Sequence, residues 1–148
     1  MRPLGVLRLS LTARCNLACP YCLPDGQEPA GLLSQEQRLR VIEAAVALGA
    51  TSLRLTGGEP LLHPQLEALI EAVQPLRDRG LRDIALTSNG LLLSAERAQR
   101  LRAAGLNRLT LSLDGTSPAS VAAMAGLNDE AAGARAGARA AGRARRQG

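Results

Sequence analysis

Short apolar runs alternate with amphipathic segments along most of this chain, at a period of roughly 30 residues. No other feature restricts the fold as much. "GVLRLSLT" (5–12) alternates like a strand, with Leu7, Leu9 and Leu11 on one face and Val6, Arg8, Ser10 and Thr12 on the other. "SQEQRLRVIEAAVALG" (34–49) opens on a capping box, Ser34 with Gln37, and closes on Gly49, while Leu39, Ile42, Ala45 and Val46 recur at helical spacing. "TSLRLT" (51–56) reads as a second strand, and "HPQLEALIEAV" (63–73) as a helix with Pro64 in its first turn. "RDIALTSNG" (82–90), "SAERAQRLRAAG" (94–105) and "NRLTLSLDG" (107–115) repeat the cycle, with Ser94 and Gly105 as the caps of the third helix.

Strand–helix alternation requires crossover connections, and these produce a parallel sheet with right-handed crossovers. The fold class expected is α/β, about four βα units with parallel strands forming an incomplete barrel. In such sheets the functional residues gather at the carboxyl ends of the strands. The polar, glycine-rich segments fall there: a cysteine loop after the first strand, "TGGEP" (56–60) after the second, "TSNG" (87–90) after the third and "SLDG" (112–115) after the fourth.

Composition narrows the class further. With no Phe or Trp, the core has to be built from Leu, Val, Ile and Ala. No apolar run is long enough to span a membrane and the N-terminus has no signal-like segment, so the expectation is a cytoplasmic protein without membrane contact. All 18 basic residues are Arg. Residues 127–148 carry five of them against Asp129 and Glu130, in an Ala/Gly/Arg mixture that forms no apolar face. The domain division expected is therefore a core over 1–126 and a frayed or disordered tail over 127–148. Such a tail lacks the residue mixture with which proteins usually grip nucleic acid, so a nucleic-acid partner is not expected.

The three cysteines, Cys15, Cys19 and Cys22, lie within "RCNLACPYC" as C-x3-C-x2-C. An odd, clustered set argues for a site in a reducing compartment and against a disulfide framework. Structural zinc sites close with four ligands, and His63, the only histidine, belongs to a different segment and reads as a helix-start residue. A [4Fe–4S] cube is usually held by four Cys, so three leave one iron open to an outside ligand.

At this point the chain resembles a known family. "RCNLACPYC" is similar to the signature of the radical S-adenosylmethionine (SAM) superfamily and "GGEP" to its second motif. Within it, "LRLSLTARCNLACPYCLPDG", "LRLTGGEPLL", "IALTSNG" and "LTLSLDG" resemble the N-terminal part of the GTP 3′,8-cyclase family of molybdenum cofactor biosynthesis. The resemblance implies one [4Fe–4S] cluster on Cys15, Cys19 and Cys22, whose open iron takes the methionine end of SAM. It implies reductive cleavage of SAM, with the resulting radical taking a hydrogen from the ribose of GTP, and an electron donor such as flavodoxin or ferredoxin. By the same resemblance Tyr21, Gly57, Gly58, Glu59, Pro60 and Ser112 contact SAM, and Arg8, Arg54 and Thr87 contact GTP. No catalytic side chain beyond the cluster ligands is implied. Two departures are visible: Ala13 where Asp is common, and "DGTSP" (114–118) after the fourth strand. The family's later strands, triphosphate Lys and second three-Cys cluster have no counterpart in these 148 residues. Two alternatives therefore stand beside the cyclase: a cluster- and SAM-binding fragment without turnover, and a radical SAM enzyme that matures a peptide.

Overall fold

A computed structural model describes residues 2–17, Cys19, Cys22, residues 28–113, Ser117, Ala119 and Ser120. Four strands, β1 (Val6–Ser10), β2 (Ser52–Thr56), β3 (Asp83–Ser88) and β4 (Arg108–Leu111), form one sheet in the order β1-β2-β3-β4. Every pairing is parallel. Three helices make the crossovers: α1 (Gln35–Ala47), α2 (Leu66–Ala72) and α3 (Ala95–Ala104). The alternation in the sequence thus becomes the parallel α/β sheet it implies.

The helix ends form as their local chemistry dictates. Ser34 accepts from the Gln37 N–H while the Gln37 side chain accepts from the Ser34 N–H, the reciprocal box expected. Ser94 caps α3 through the Arg97 N–H, and Gly105, at φ 110°, ends it. The second crossover differs from its expectation over 63–73. A 3₁₀ turn, Pro60–Leu62, comes first, and α2 begins only at Leu66, with a second 3₁₀ segment over Gln74–Arg79. The backbone between is already committed: the His63 N–H donates to the Pro60 carbonyl, Pro64 has no N–H, and the Gln65 N–H points at the His63 ring.

Strand residues of one parity, Leu9, Leu11, Leu53, Leu55, Ile84 and Leu86, pack with Ile42 and Val46 of α1, Leu69 and Ile70 of α2, and Leu101 of α3. All three helices therefore lie on one face of the sheet. Sequential strand order with one-sided helices is the arc of a barrel; a doubly wound sheet reverses its order and covers both faces. The opposite face presents Arg8, Ser10, Arg54, Arg108 and Thr110 as exposed residues. Arg8 sits directly beside Arg54 in the β1–β2 register, and Ala85 separates Arg54 from Arg108. Arg108 pairs with Asp83 at 2.6 Å and holds that carboxyl below the usual range. Among the described residues no helix is long and apolar enough to cross a membrane. Residues 127–148 lie outside the described residues.

Candidate functional site

Pairing between neighbouring strands continues past their formal ends and brings the loops together. Leu11 donates to the Thr56 carbonyl, Gly58 to the Thr12 carbonyl and Glu59 to the Arg14 carbonyl, at 2.8–2.9 Å. The first leg of the cysteine loop is thereby laid along "GGE". On the far side Ser112 donates to the Ser88 carbonyl at 2.9 Å, carrying the end of β4 onto that of β3.

The close approach explains the two glycines. A Cβ on Gly58 would lie 2.2 Å from the Arg14 carbonyl oxygen, and one on Gly57, at φ 151°, would lie 2.6 Å from that of Thr12. Only a residue without a side chain fits under that backbone. The space a side chain would take at Gly58 is thus filled by the cysteine loop itself.

These contacts enclose a cavity of about 190 Å³ lined by Cys15, Leu17, Cys19, Cys22, Thr56, Gly57, Gly58, Thr87, Ser88, Asn89 and Ser112. Seven residues singled out from the sequence meet in it: the three cysteines, Gly57, Gly58, Thr87 and Ser112. Glu59 and Pro60 are buried behind it, and Arg8 and Arg54 stand on the uncovered sheet face and not in its lining. Tyr21 lies outside the described residues, as do Asp114 and its neighbours Gly115 and Thr116.

Cys15 and Cys19 are half-buried and Cys22 is exposed. The Cys22 N–H donates to the Cys19 carbonyl at 3.0 Å. Burial raises the Cys15 thiol above its ordinary pKa against a backbone hydrogen bond at Leu17, and the Glu59 carboxylate and the two other thiols push the same way as burial. Among the described residues no group of three or more His, Cys, Asp or Glu side chains is arranged to hold a metal ion. The thiols share a cavity without converging on a point.

Glu59 is fully buried, yet its carboxylate is well supplied with donors. Oε1 accepts from the Leu61 N–H at 3.0 Å and the Ser88 hydroxyl at 2.7 Å, and Oε2 accepts from the Asn89 N–H at 2.8 Å. His63 is engaged elsewhere. Arg38, itself buried, reaches its Nε2 at 2.8 Å and donates to the Leu11 carbonyl at 3.0 Å. Burial, then the Arg38 guanidinium, hold the imidazole below its ordinary pKa. Because a guanidinium carries donors only, Nε2 is the accepting nitrogen of the ring, a role that a second proton would abolish. Glu28 closes the base of the cysteine loop by accepting from the Thr12 hydroxyl and, at 3.0 Å, from the Ala13 N–H, which hold its carboxyl below the usual range. Sequence reasoning passed over Arg38, Glu28, Asn16 and the structural duty of Ser88 and Asn89. The "TSNG" turn gave a signal for the last two; nothing local marks the others.

A barrel arc whose carboxyl rim gathers three cysteines and a Gly-Gly-Glu turn defines a class. The family model of the radical SAM superfamily matches residues 9–140, and the chain belongs to that superfamily. Its similar relatives are more particular. Over 126 residues it is 62% identical to "GTP 3′,8-cyclase" of Synechococcus sp. (strain CC9902), covering 85% of this chain and 36% of that one. Over 123 residues it is 42% identical to "GTP 3′,8-cyclase 3" of Mycobacterium bovis (strain ATCC BAA-935 / AF2122/97), covering 79% of this chain and 32% of that one. The chain thus spans about a third of the length of these curated relatives. Among solved structures, Streptococcus suis SuiB bound to S-adenosylmethionine is similar with a TM-score of 0.68 at 21% identity, covering 86% of this chain and 29% of SuiB. BtrN in complex with AdoMet and 2-DOIA gives a TM-score of 0.62 at 20% identity, covering 72% and 44%. These two likenesses concern the fold.

Proposed function

We propose that this chain is the cluster- and SAM-binding part of a GTP 3′,8-cyclase acting in molybdenum cofactor biosynthesis in the cytoplasm. One observation carries the reading: the cavity at the carboxyl ends of the strands, where three thiols, Gly57, Gly58, Thr87 and Ser112 meet. It stands in a chain 62% identical to a protein of that name.

The donor set fits one [4Fe–4S] cluster. Three soft sulfur ligands beside an open cavity suit a cube with one accessible iron, whereas a structural zinc would need a fourth ligand and the only imidazole is held by Arg38. Cys15, Cys19 and Cys22 would hold the cluster, and loading would release the proton that burial favours on Cys15. When bound, such a cluster supplies the electron that breaks a carbon–sulfur bond at the sulfonium of SAM. Gly57 and Gly58 keep the cysteine loop close to β2, Ser112 in the cavity lining would contact SAM, as Tyr21 would by the family resemblance, and the buried Leu17 excludes water from one wall. Glu59 and Pro60 shape the turn behind. Arg8 and Arg54, adjacent in register on the uncovered face, offer planar guanidinium forks to a triphosphate, with Thr87 nearer the rim. A flavodoxin or ferredoxin would deliver the electron.

The peptide-maturing reading loses support, because the likeness to SuiB at 21% identity concerns the fold alone. The test is anaerobic reconstitution with iron and sulfide. About four irons per chain and a broad visible band are expected, together with a change in the EPR signal of the reduced cluster on adding SAM. Uptake of a single zinc with no cluster overturns the reading. Incubation with SAM, reductant and GTP should then give 5′-deoxyadenosine slowly and independently of GTP, whereas cyclic nucleotide formed in step with it would overturn the reading of these residues as the cluster- and SAM-binding part.

A further inference from the structure

Asn16 lies between the first two cysteines, and its Oδ1 accepts from Asn89 Nδ2 at 2.8 Å across the rim. The Asn89 amide has its orientation set from the other end, because Oδ1 accepts from the Leu91 N–H at 3.0 Å and so leaves Nδ2 facing Asn16. Its backbone is held as well, by the bond from the Asn89 N–H to Glu59 Oε2. Glu59 in turn is fully buried, takes three donors, and is absent from the cavity lining. A carboxylate has about four acceptor sites, so little of this one is left for a ligand.

We propose that Asn89 and Asn16 form a latch that positions the cysteine loop over the cavity, and that Glu59 acts through Asn89 without touching the cofactor. The functional meaning rests on the three thiols being cluster ligands; the latch itself does not. Glu59 joins the Pro60–Leu62 turn to the end of β3, Asn89 extends that joint outward, and Asn16 receives it within the segment that carries Cys15 and Cys19. The chain of bonds converts a buried charge into a fixed placement of two thiols. Both asparagines are positioning residues.

The chemistry gives the latch a signature that simple loss of packing does not share. Asn16→Asp keeps an acceptor opposite Nδ2. Asn89→Asp keeps the acceptor for Leu91, and the Asn16 amide can turn to donate to the new oxygen. Combining the two sets carboxylate against carboxylate, with no donor between them. Each single variant should therefore be mild and the pair severe, a strongly non-additive pattern.

The experiment measures amide hydrogen exchange over residues 14–22 in the cluster-free protein, with the denaturation midpoint recorded alongside. Exchange in the double variant is expected to rise about tenfold or more, with each single variant within about twofold of the parent and the midpoint of the sheet little changed. In the reconstituted protein, loss of iron to a chelator should follow the same order. Parental exchange in the double variant overturns the latch. Glu59→Gln separates the second clause: loop exchange should rise while the loaded cluster keeps its EPR response to SAM. A lost response with unaltered loop exchange would place Glu59 on the cofactor and overturn that clause. If the parent takes up no cluster, the functional reading fails, yet the exchange pattern still decides the latch.

Discussion

The two walls of the cavity are built in opposite ways. The wall from β2 and β3 is backed by a dense layer: Glu59, Leu61, Leu86 and Ser88 are each no more than 2% exposed, and the buried Glu59 carboxylate has three donors. The cysteine loop is anchored at its base by Gly58, Glu59 and Glu28 and at Asn16 by Asn89, while Cys22 is exposed and the three thiols do not converge. One wall has its shape before any cofactor arrives. The other carries the three thiols proposed as cluster ligands, and on that proposal its shape would depend on what they bind, since metal binding and local folding share one free energy.

Four measurements break or sharpen this contrast. Glu59→Ala should have the largest effect, because it strips the Leu61 and Asn89 N–H groups and the Ser88 hydroxyl of their common acceptor inside the protein. Loss of about 3 kcal/mol or more is expected in denaturant unfolding. A change below about 0.5 kcal/mol would mean that the dense wall does not depend on the carboxylate. Gly58→Ala comes next. Its Cβ would lie 2.2 Å from the Arg14 carbonyl oxygen, so the base of the loop must move, at about 1–3 kcal/mol. Faster exchange of the Gly58 and Glu59 amides would locate the damage, and parental exchange there would refute the account.

The third measurement concerns acid. The folded protein holds His63 below its ordinary pKa, by burial first and Arg38 second. Below about pH 6.5 the unfolded chain takes up a proton that the folded chain still refuses, so stability is full above that pH and declines below it until the lowered pKa is reached. Denaturation midpoints between about pH 8 and pH 5 should show the decline, and His63→Gln, which still offers Arg38 an acceptor, should flatten it. The smallest effect is expected for Cys22→Ser in the cluster-free protein: a change within about 0.5 kcal/mol, because the side chain is exposed. The same variant should abolish uptake of four irons. A stability loss as large as that of Gly58→Ala would show that the loop is already packed without its cofactor.

The sequence made the framework legible because its signals are local. Alternation of Leu with polar residues marks β1 and β2, and Ser34 with Gln37 or Ser94 with Gly105 marks helix ends within a few residues. The start of α2 was misplaced because the His63–Gln65 backbone is spent on a turn whose partners are Pro60 and a side chain. The cavity was legible as a collection of motifs: the three cysteines, Gly57, Gly58, Thr87 and Ser112 meet as the topology implies. What holds the motifs in place was not. Glu59 with Ser88, Asn89 with Asn16 and Arg38 with His63 are 29, 73 and 25 residues apart, and no local pattern encodes such pairs. The reason for Gly58 also lay outside the sequence, since the atoms above it belong to Ala13 and Arg14.

The strand order β1-β2-β3-β4 has a consequence for how the molecule is made. Each strand pairs with its predecessor in the chain, so no strand waits for a partner synthesised much later. The loops to be closed also shorten: Ser52 meets Asp83 across 31 residues, and Arg108 meets Asp83 across only 25. Closure entropy therefore falls as the sheet grows, so the first pairing, between β1 and β2, is the costliest to close. On the ribosome the arc can extend strand by strand in the direction of translation, with Gly58 and Glu59 docking onto the waiting cysteine loop as soon as β2 emerges.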